Sequence, residues 1–346
     1  MSGLIKAITI FSIACIITAC GGGGGGSDTS TEHTTTDEYD KYVSSLGFSG
    51  TILVNINGTD VLRKAYGYSD RSSAVINSLN TRFRIGSITK SFTALAIVQL
   101  KNASLLDYDD HLSEFIPDYP RGNEITIRHL LKHESGIVDY VQYINKTRSY
   151  TPNELVALVK NRTLSFAPGE MLSYSNSNYL ILGYIVELIT SSDYASYINT
   201  HITTPLGMND TEYGTTIIEG PEYAKGYQDN LQTVPAQYYD MTIPQGAGAL
   251  SSTLVDLEIW GRSFLEMTLI NQQDREDIFS GNYGFGWVIT KEGRRLVYSH
   301  EGAINGFRSL IVLYPENNGI VVVLSNTEES DEIIGDIVKR IVKNEL

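Results

Sequence analysis

The sequence predicts an α/β protein of the α+β type. One antiparallel sheet is built from both ends of the chain, and an all-α insertion separates those ends. Three observations predict this. Residues 51–57 and 60–68 alternate, are rich in β-formers and meet at Asn57-Gly58, a strong hairpin signal. Strand-like runs return near the C-terminus, at residues 283–290, 295–300, 308–314 and 320–326. Between them, from near residue 105 to residue 267, the apolar positions fall mostly at helical spacing.

Residues 1–19 read as a targeting segment. Lys6 precedes an apolar run at 7–17 that is too short to span a bilayer. It ends in Ile17-Thr18-Ala19-Cys20, which resembles a bacterial lipobox. That resemblance implies cleavage before Cys20, lipidation of its thiol and attachment to a membrane of the bacterial cell envelope. An ordinary secretory peptide is the alternative. Residues 21–36 cannot bury apolar surface and read as a flexible tether with a typical reach of about 20–25 Å. Cys15 and Cys20 are the only cysteines, so the folded part has no disulfide, thiol nucleophile or cysteine metal site.

Residues 37–346 then read as one domain, long enough for a large core. A helix is expected over 37–47, followed by the hairpin. A second helix opens at Ser87 and runs through Ile88, Phe92, Leu95, Ala96 and Leu100. Helices follow at 127–132, 152–160, 178–190, 194–200 and 253–266. Turns at Glu292-Gly293 and Asn317-Asn318-Gly319 join the C-terminal strands into antiparallel pairs, and a last helix covers 331–343. The net charge of −14 argues against a nucleic-acid partner.

The chemistry centres on Ser87 and Lys90. Three residues apart, they share one helix face. A serine hydroxyl needs a base, and a desolvated lysine amine one turn away can be neutral enough to help. The first turn also offers free N–H groups to an oxyanion. The same spacing describes a capping serine beside a surface lysine. However, Ser87 is the only serine here with a lysine three residues on, and an apolar run follows it. Tyr174-Ser175-Asn176 lies just before an apolar helix. A phenol there can act as a base if Lys90 lowers its pKa, and the amide can hold a substrate. Tyr143-Ile144-Asn145 and Tyr197-Ile198-Asn199 match the same pattern. His300-Glu301-Gly302 ends a strand and can line a cleft, or be a satisfied surface histidine. His129 and His133, with Glu134, mimic a zinc spacing but lack a third ligand; no metal and no other cofactor is expected. Gly-x-Ser-x-Gly is absent.

Taken together and in this order, Ser87-x-x-Lys90, Tyr174-x-Asn176 and His300-Glu301-Gly302 resemble the three motifs of the serine β-lactamase and penicillin-binding-protein superfamily. The tyrosine resembles class C β-lactamases, DD-carboxypeptidases and their esterase and D-amino-acid-peptidase relatives. Linking segments at 48–50, 127–136, 166–170, 248–256 and 283–287 extend the resemblance over nearly all of the chain from Phe48 on. It implies a β-lactamase/transpeptidase-like fold and a serine hydrolase working through an acyl-enzyme. Ser87 would attack, Lys90 and Tyr174 would share acid and base work, and Asn176 would position the substrate. The N–H groups of Ser87 and Ala303 would form the oxyanion hole beside Gly302. His300, where class C enzymes usually carry lysine, would bind substrate or relay a proton, and Arg308 could supply the missing cation. The resemblance implies a peptide bond of D-Ala-D-Ala type or an ester as substrate. The alternatives are β-lactam hydrolysis and a penicillin-binding sensor that acylates without turnover.

Overall fold

The computed structural model describes residues 36–214 and 220–346. Cys20, the targeting segment and all of the tether except Thr36 lie outside the described residues. The main sheet has strands β1 (Gly50–Ile56), β2 (Thr59–Tyr66), β3 (Val288–Glu292), β4 (Arg295–Ile304), β5 (Phe307–Tyr314) and β6 (Gly319–Ser325). Their spatial order is β2-β1-β6-β5-β4-β3, and every pairing is antiparallel. N- and C-terminal strands therefore meet at β1 and β6, where Gly50 faces Ser325 and Asn55 faces Ile320. The β1–β2 turn has positive φ at both Asn57 (53°) and Gly58 (78°). This type I′ conformation matches strand twist and explains the Asn-Gly pair.

β1 and β6 are buried along their whole length because helices cover both faces of the sheet. Side chains alternate between the faces. Ile52, Val54, Val321 and Val323 meet helix α1 (Thr36–Ser45) and the C-terminal helix (Asp331–Glu345) through Tyr39, Val43, Ile334, Ile337 and Ile341. Leu53, Ile320, Val322 and Leu324 join the much larger core of the helical middle.

In that core lie α2 (Thr89–Asn102), α3 (Pro152–Lys160), α4 (Asn176–Thr190) and α5 (Leu254–Leu265); the C-terminal helix is α6. α2 is buried nearly all round, as a central helix must be. Phe92 stacks on Trp260 of α5 at 3.8 Å, and the Trp260 indole N–H donates to Ser91 Oγ at 2.9 Å. A small sheet of Phe83–Arg84, Leu250–Ser252 and Glu212–Tyr213 holds the chain that enters α2.

Several boundaries differ from expectation. The chain from Tyr283 to Trp287 is not strand; β3 starts at Val288. Gly286 has φ +75° and lies against the backbone of Lys90 and Ser91, where a side chain would collide, so this stretch is a close-packed cover over α2. β4 outruns its expected end at His300 and reaches Ile304. The expected strand over 60–68 breaks at Gly67, and the helix from Tyr194 gives way to a π turn at Asn199–Thr203.

Candidate active site

Ser87 sits on a 3-10 turn, Gly86–Ile88, from which α2 continues. Gly86 has φ +50° and lies against the Ala303 backbone; a Cβ there would come within 2.8 Å of Ala303 N. Gly302 is equally constrained, because any side chain would collide with Ile85 O and Ser309 Oγ. Ser309 Oγ also donates to Ile85 O at 2.8 Å. The two glycines thus let the Ser87 turn press directly on β4. Beyond Ser299, β4 has no β3 partner, and exposed Ala303 lies on this free stretch.

Lys90 is completely buried. Its Nζ reaches three oxygens: Ser87 Oγ at 2.9 Å, Asn176 Oδ1 at 2.9 Å and Ala247 O at 2.7 Å. Burial pulls its pKa down to about 7, partly offset by the Asp139 carboxylate. Two of the three oxygens can only accept. A neutral lysine therefore spends its two N–H bonds on Asn176 and Ala247 and turns its lone pair to the Ser87 hydroxyl. The half-buried Tyr174 donates its phenolic hydrogen to Ser87 Oγ at 2.9 Å, and its ring lies 4.9 Å from Lys90 Nζ. Its pKa is raised, chiefly by desolvation, against the expectation that Lys90 would lower it. A half-neutral lysine is a weak field, and burial disfavours a phenolate more strongly than the Ser87 hydrogen bond favours one.

Asn176 opens α4, and the loop before Tyr140 fixes it. Asp139 Oδ2 accepts from Asn176 Nδ2 at 2.8 Å and from Asn176 N at 3.2 Å. The carboxylate caps a free helix N–H and forces the amide oxygen towards Lys90. Ser177 Oγ accepts from Tyr140 N at 2.9 Å and donates to Val138 O at 2.6 Å, tying down the same loop. Asp139 and Ala247 were not among the residues singled out from sequence.

His133 is fully buried, its ring 4.3 Å from that of Tyr174 and 4.7 Å from that of Tyr283. Its Nδ1 accepts from Ser175 N at 3.2 Å, and burial holds the ring neutral. It therefore backs the tyrosine, while His129 works elsewhere, closing a capping box with Thr126. Tyr197 packs on His201, away from Lys90, and Tyr143 lies over Arg162.

His300 is buried. Its Nδ1 donates to Glu301 O at 2.6 Å, and its Nε2 accepts from Tyr283 Oη at 3.1 Å. Burial, helped by the charge of Lys90, lowers its pKa to about 3. Both ring nitrogens are taken up by these two contacts, so the ring is held neutral. Arg308 does not supply a cation either, since its Nε pairs with Asp331 at 3.0 Å and its Nη1 donates to Phe307 O.

Comparison with known proteins agrees with this architecture. A family model described as Beta-lactamase matches residues 38–341. PbpX of Bacillus subtilis, described as a penicillin-binding protein, is 30% identical over 297 residues, spanning 84% of this chain and 74% of the relative. A penicillin binding protein from Bacillus halodurans superposes with a TM-score of 0.78 at 25% identity, covering 88% of this chain and 98% of that one. A D-amino acid amidase from Ochrobactrum anthropi SV3 shares the fold, with a TM-score of 0.80 at 22% identity over 90% of this chain and 98% of its own.

Proposed function

The chain belongs to the Beta-lactamase family and is a serine hydrolase, and on that premise we propose an acyl-enzyme on Ser87, formed from a peptide bond of the D-Ala-D-Ala or D-amino-acid type or from an ester. The observation that carries this reading is the set of three oxygens around Lys90 Nζ. Neutral Lys90 takes the Ser87 proton as Oγ attacks the carbonyl carbon. The oxyanion lies between the N–H groups of Ser87 and Ala303, each such donor being worth roughly a hundredfold or more in rate. Tyr174 keeps its proton until the leaving group needs it, which is the role a raised phenol pKa suits. The Lys90 ammonium then restores the Tyr174 proton. In deacylation, water gives a proton to the pair and Ser87 Oγ regains one. Asn176, held by Asp139, keeps Lys90 aimed and offers its amide to the substrate.

A neutral His300 offers no fixed cation to a β-lactam carboxylate. This favours peptide or ester turnover over efficient β-lactam hydrolysis. The test has two stages. Fluorophosphonate or an activated β-lactam should label the Ser87 peptide by mass spectrometry, and Ser87→Ala should abolish the label; labelling that survives sinks the mechanism. Purified protein should then be screened against D-Ala-D-Ala peptides, short-chain esters and a chromogenic cephalosporin. A permanent adduct with no turnover of any of them would replace the hydrolase with a sensor.

For location we propose the bacterial cell envelope, through a lipid on Cys20. The reading rests on the Ile17-Thr18-Ala19-Cys20 sequence; among the described residues no helix is long and apolar enough to cross a membrane. Cys20→Ser should release the protein from membranes or leave it unprocessed. An unmodified, soluble mature form would refute this.

A further inference from the structure

A cavity of about 230 Å³, lined by polar and apolar atoms in equal share, opens near the Ser87 turn. Arg82, Arg84 and Lys225 line it, and among the described residues no carboxylate does, in a chain of net charge −14. Two of these cations are neutralised outside the cavity: Arg82 by Asp210, and Lys225 by Asp70 at 2.7 Å. Arg84 is different. It is half-buried, and among the described residues its guanidinium has neither an ion pair nor a hydrogen-bond acceptor; its Cζ lies 5.9 Å from the centre of the Phe307 ring, and the Tyr238 phenol shares the same lining. Desolvation lowers its pKa, as expected of an uncompensated cation, yet a guanidinium stays charged. Ser251, its register partner in the small sheet, lines the same cavity. Its Oγ is buried and has no hydrogen-bond partner among the described residues. An unpaired fork of donors beside an orphaned hydroxyl is what a carboxylate would satisfy. One unpaired positive charge matches one negative charge.

The cavity also has a fixed place relative to the reacting bond. Arg84 is three residues before Ser87, so at most about 10 Å of chain separates them. Asn305 and Phe307, also in the lining, follow Ala303. Tyr174 stands at the other end of this strand segment, its ring 6.3 Å from that of Tyr283, which binds His300. If Tyr174 protonates the leaving group, that group departs towards His300, and the acyl part extends towards Asn305 and Arg84. We propose that this cavity is an acyl-side subsite for a carboxylate-bearing side chain, bound by Arg84 and Ser251. At 230 Å³ it is smaller than a typical whole-ligand pocket and suits one short acidic branch.

The assignment of acyl side rests on the acyl-enzyme reading; the anion site itself does not, and the experiment separates them. First, glutarate and neutral glutaramide are titrated by calorimetry into the purified protein, in wild type, Arg84→Gln and Arg84→Lys. Glutarate alone should bind. Its affinity should fall roughly 10- to 100-fold in Arg84→Gln, the range of a charge-assisted hydrogen-bonded contact, and less in Arg84→Lys. Raised salt should weaken it. Equal affinity of wild type and Arg84→Gln, or of both ligands, overturns the anion site whatever Ser87 does. Second, activated esters with glutaryl or glutaramoyl acyl groups are compared. Wild type should favour glutaryl in kcat/KM by about tenfold or more, and Arg84→Gln should lose that preference while keeping glutaramoyl turnover and fluorophosphonate labelling of Ser87. Glutarate binding without the kinetic preference overturns the acyl-side placement. Loss of Ser87 labelling in wild type would instead count against the acyl-enzyme. Thermal melts of both variants check that each is folded, and Arg84→Lys keeps the test open if Arg84→Gln is not.

Discussion

The two faces of the main sheet are built from the same alternating strands but hold different contents. Under α1 and α6 the packing is aliphatic: Ile52, Val54, Val321 and Val323 against Ile334, Ile337, Val338 and Ile341, with a few tyrosines. Under α2, α4 and α5 the core is larger and holds buried polar groups, among them Lys90, His133 and His300. On the outer face stability comes mainly from area removed from water and should change little between pH 6 and pH 9, since Asp40 is shifted down and Tyr66 up, away from that range. On the inner face several groups are held in the protonation state that burial favours, so stability and chemistry are coupled there. Substitutions on the two faces should therefore separate cleanly.

Ser87→Ala should produce the largest change. Loss of the nucleophile should cut kcat/KM on the order of 10⁴-fold or more. Its side chain fills no large apolar space, so the melting temperature should move little. A variant that keeps more than a hundredth of the activity would contradict the inner-face assignment. Lys90→Met comes next, at about 10²- to 10⁴-fold in rate, the range for positioned acid–base groups. It also carries a stability signature. The Lys90 pKa is about 7 in the folded state and 10.5 ordinarily. Between those values the unfolded chain binds the extra proton, so wild-type stability should rise with pH across that window. Urea titrations should show this slope in wild type and its flattening in Lys90→Met. In wild type, kcat/KM should also fall as pH drops below about 7, where the amine is protonated.

Ile337→Ala tests the outer face. Ile337 is fully buried, and truncating such a side chain costs about 2–5 kcal/mol. The expected result is a large loss of stability that is the same at pH 6 and pH 9, with kcat/KM of the remaining folded protein unchanged. A change in the pH profile of activity would mean that the faces communicate through the sheet.

This contrast also explains what could be read in the sequence. The sheet built from both chain ends was legible, because period-2 alternation and the Asn57-Gly58 turn are local signals and because the strand-like runs read in the sequence fall at the chain ends. Ser87, Lys90, Tyr174 and Asn176 were legible as spacings of reactive side chains, and the structure links them in one hydrogen-bonded chain, Tyr174 to Ser87 to Lys90 to Asn176. Ala247 was not, because what matters there is a backbone carbonyl, which any residue supplies. Gly246 and Gly183 do carry a trace of it. Their backbones lie so close that a Cβ on Gly183 would meet Gly246 Cα at 3.2 Å, which is how the Ala247 turn reaches Lys90. Asp139 was missed because it lies 37 residues from its partner, with no periodic pattern between them. The tyrosine's raised pKa was missed because burial is a property of the assembled core rather than of a motif.

Asp139→Asn should have a moderate effect. The carboxylate holds the Asn176 amide in one orientation and raises the Lys90 pKa. An amide in its place loses the charge and can present its own NH₂ to Asn176. We expect kcat/KM to fall roughly 10- to 100-fold, the worth of one to two charged hydrogen bonds. The sign of the pH effect is fixed. Without the carboxylate the Lys90 ammonium is less stabilised, so the acid limb of kcat/KM should move to lower pH. A shift to higher pH would show that Asp139 acts on some other group.

The smallest effect at neutral pH is expected at His300, and it is the sharpest test of the difference between faces. The folded pKa of about 3 lies below the ordinary 6.5. Above pH 6.5 the ring is neutral in both folded and unfolded chains, so His300 contributes no pH dependence there. Between 6.5 and 3 the unfolded chain is protonated and the folded one is not. Stability should therefore fall as pH drops through that window, by up to about 1.4 kcal/mol per unit from this group alone. His300→Gln can keep both bonds, with the amide NH₂ donating to Glu301 O and the amide oxygen accepting from Tyr283, but it cannot take up a proton. At pH 7.5 the variant should melt close to wild type. At pH 5 it should be the more stable of the two, and its kcat/KM profile should keep the wild-type limb near pH 7, since that limb belongs to Lys90. Denaturant titrations at four or five pH values measure the crossover. Parallel stability curves would mean that His300 is charged or solvated in the folded protein, and its part in the inner face would then have to be redrawn.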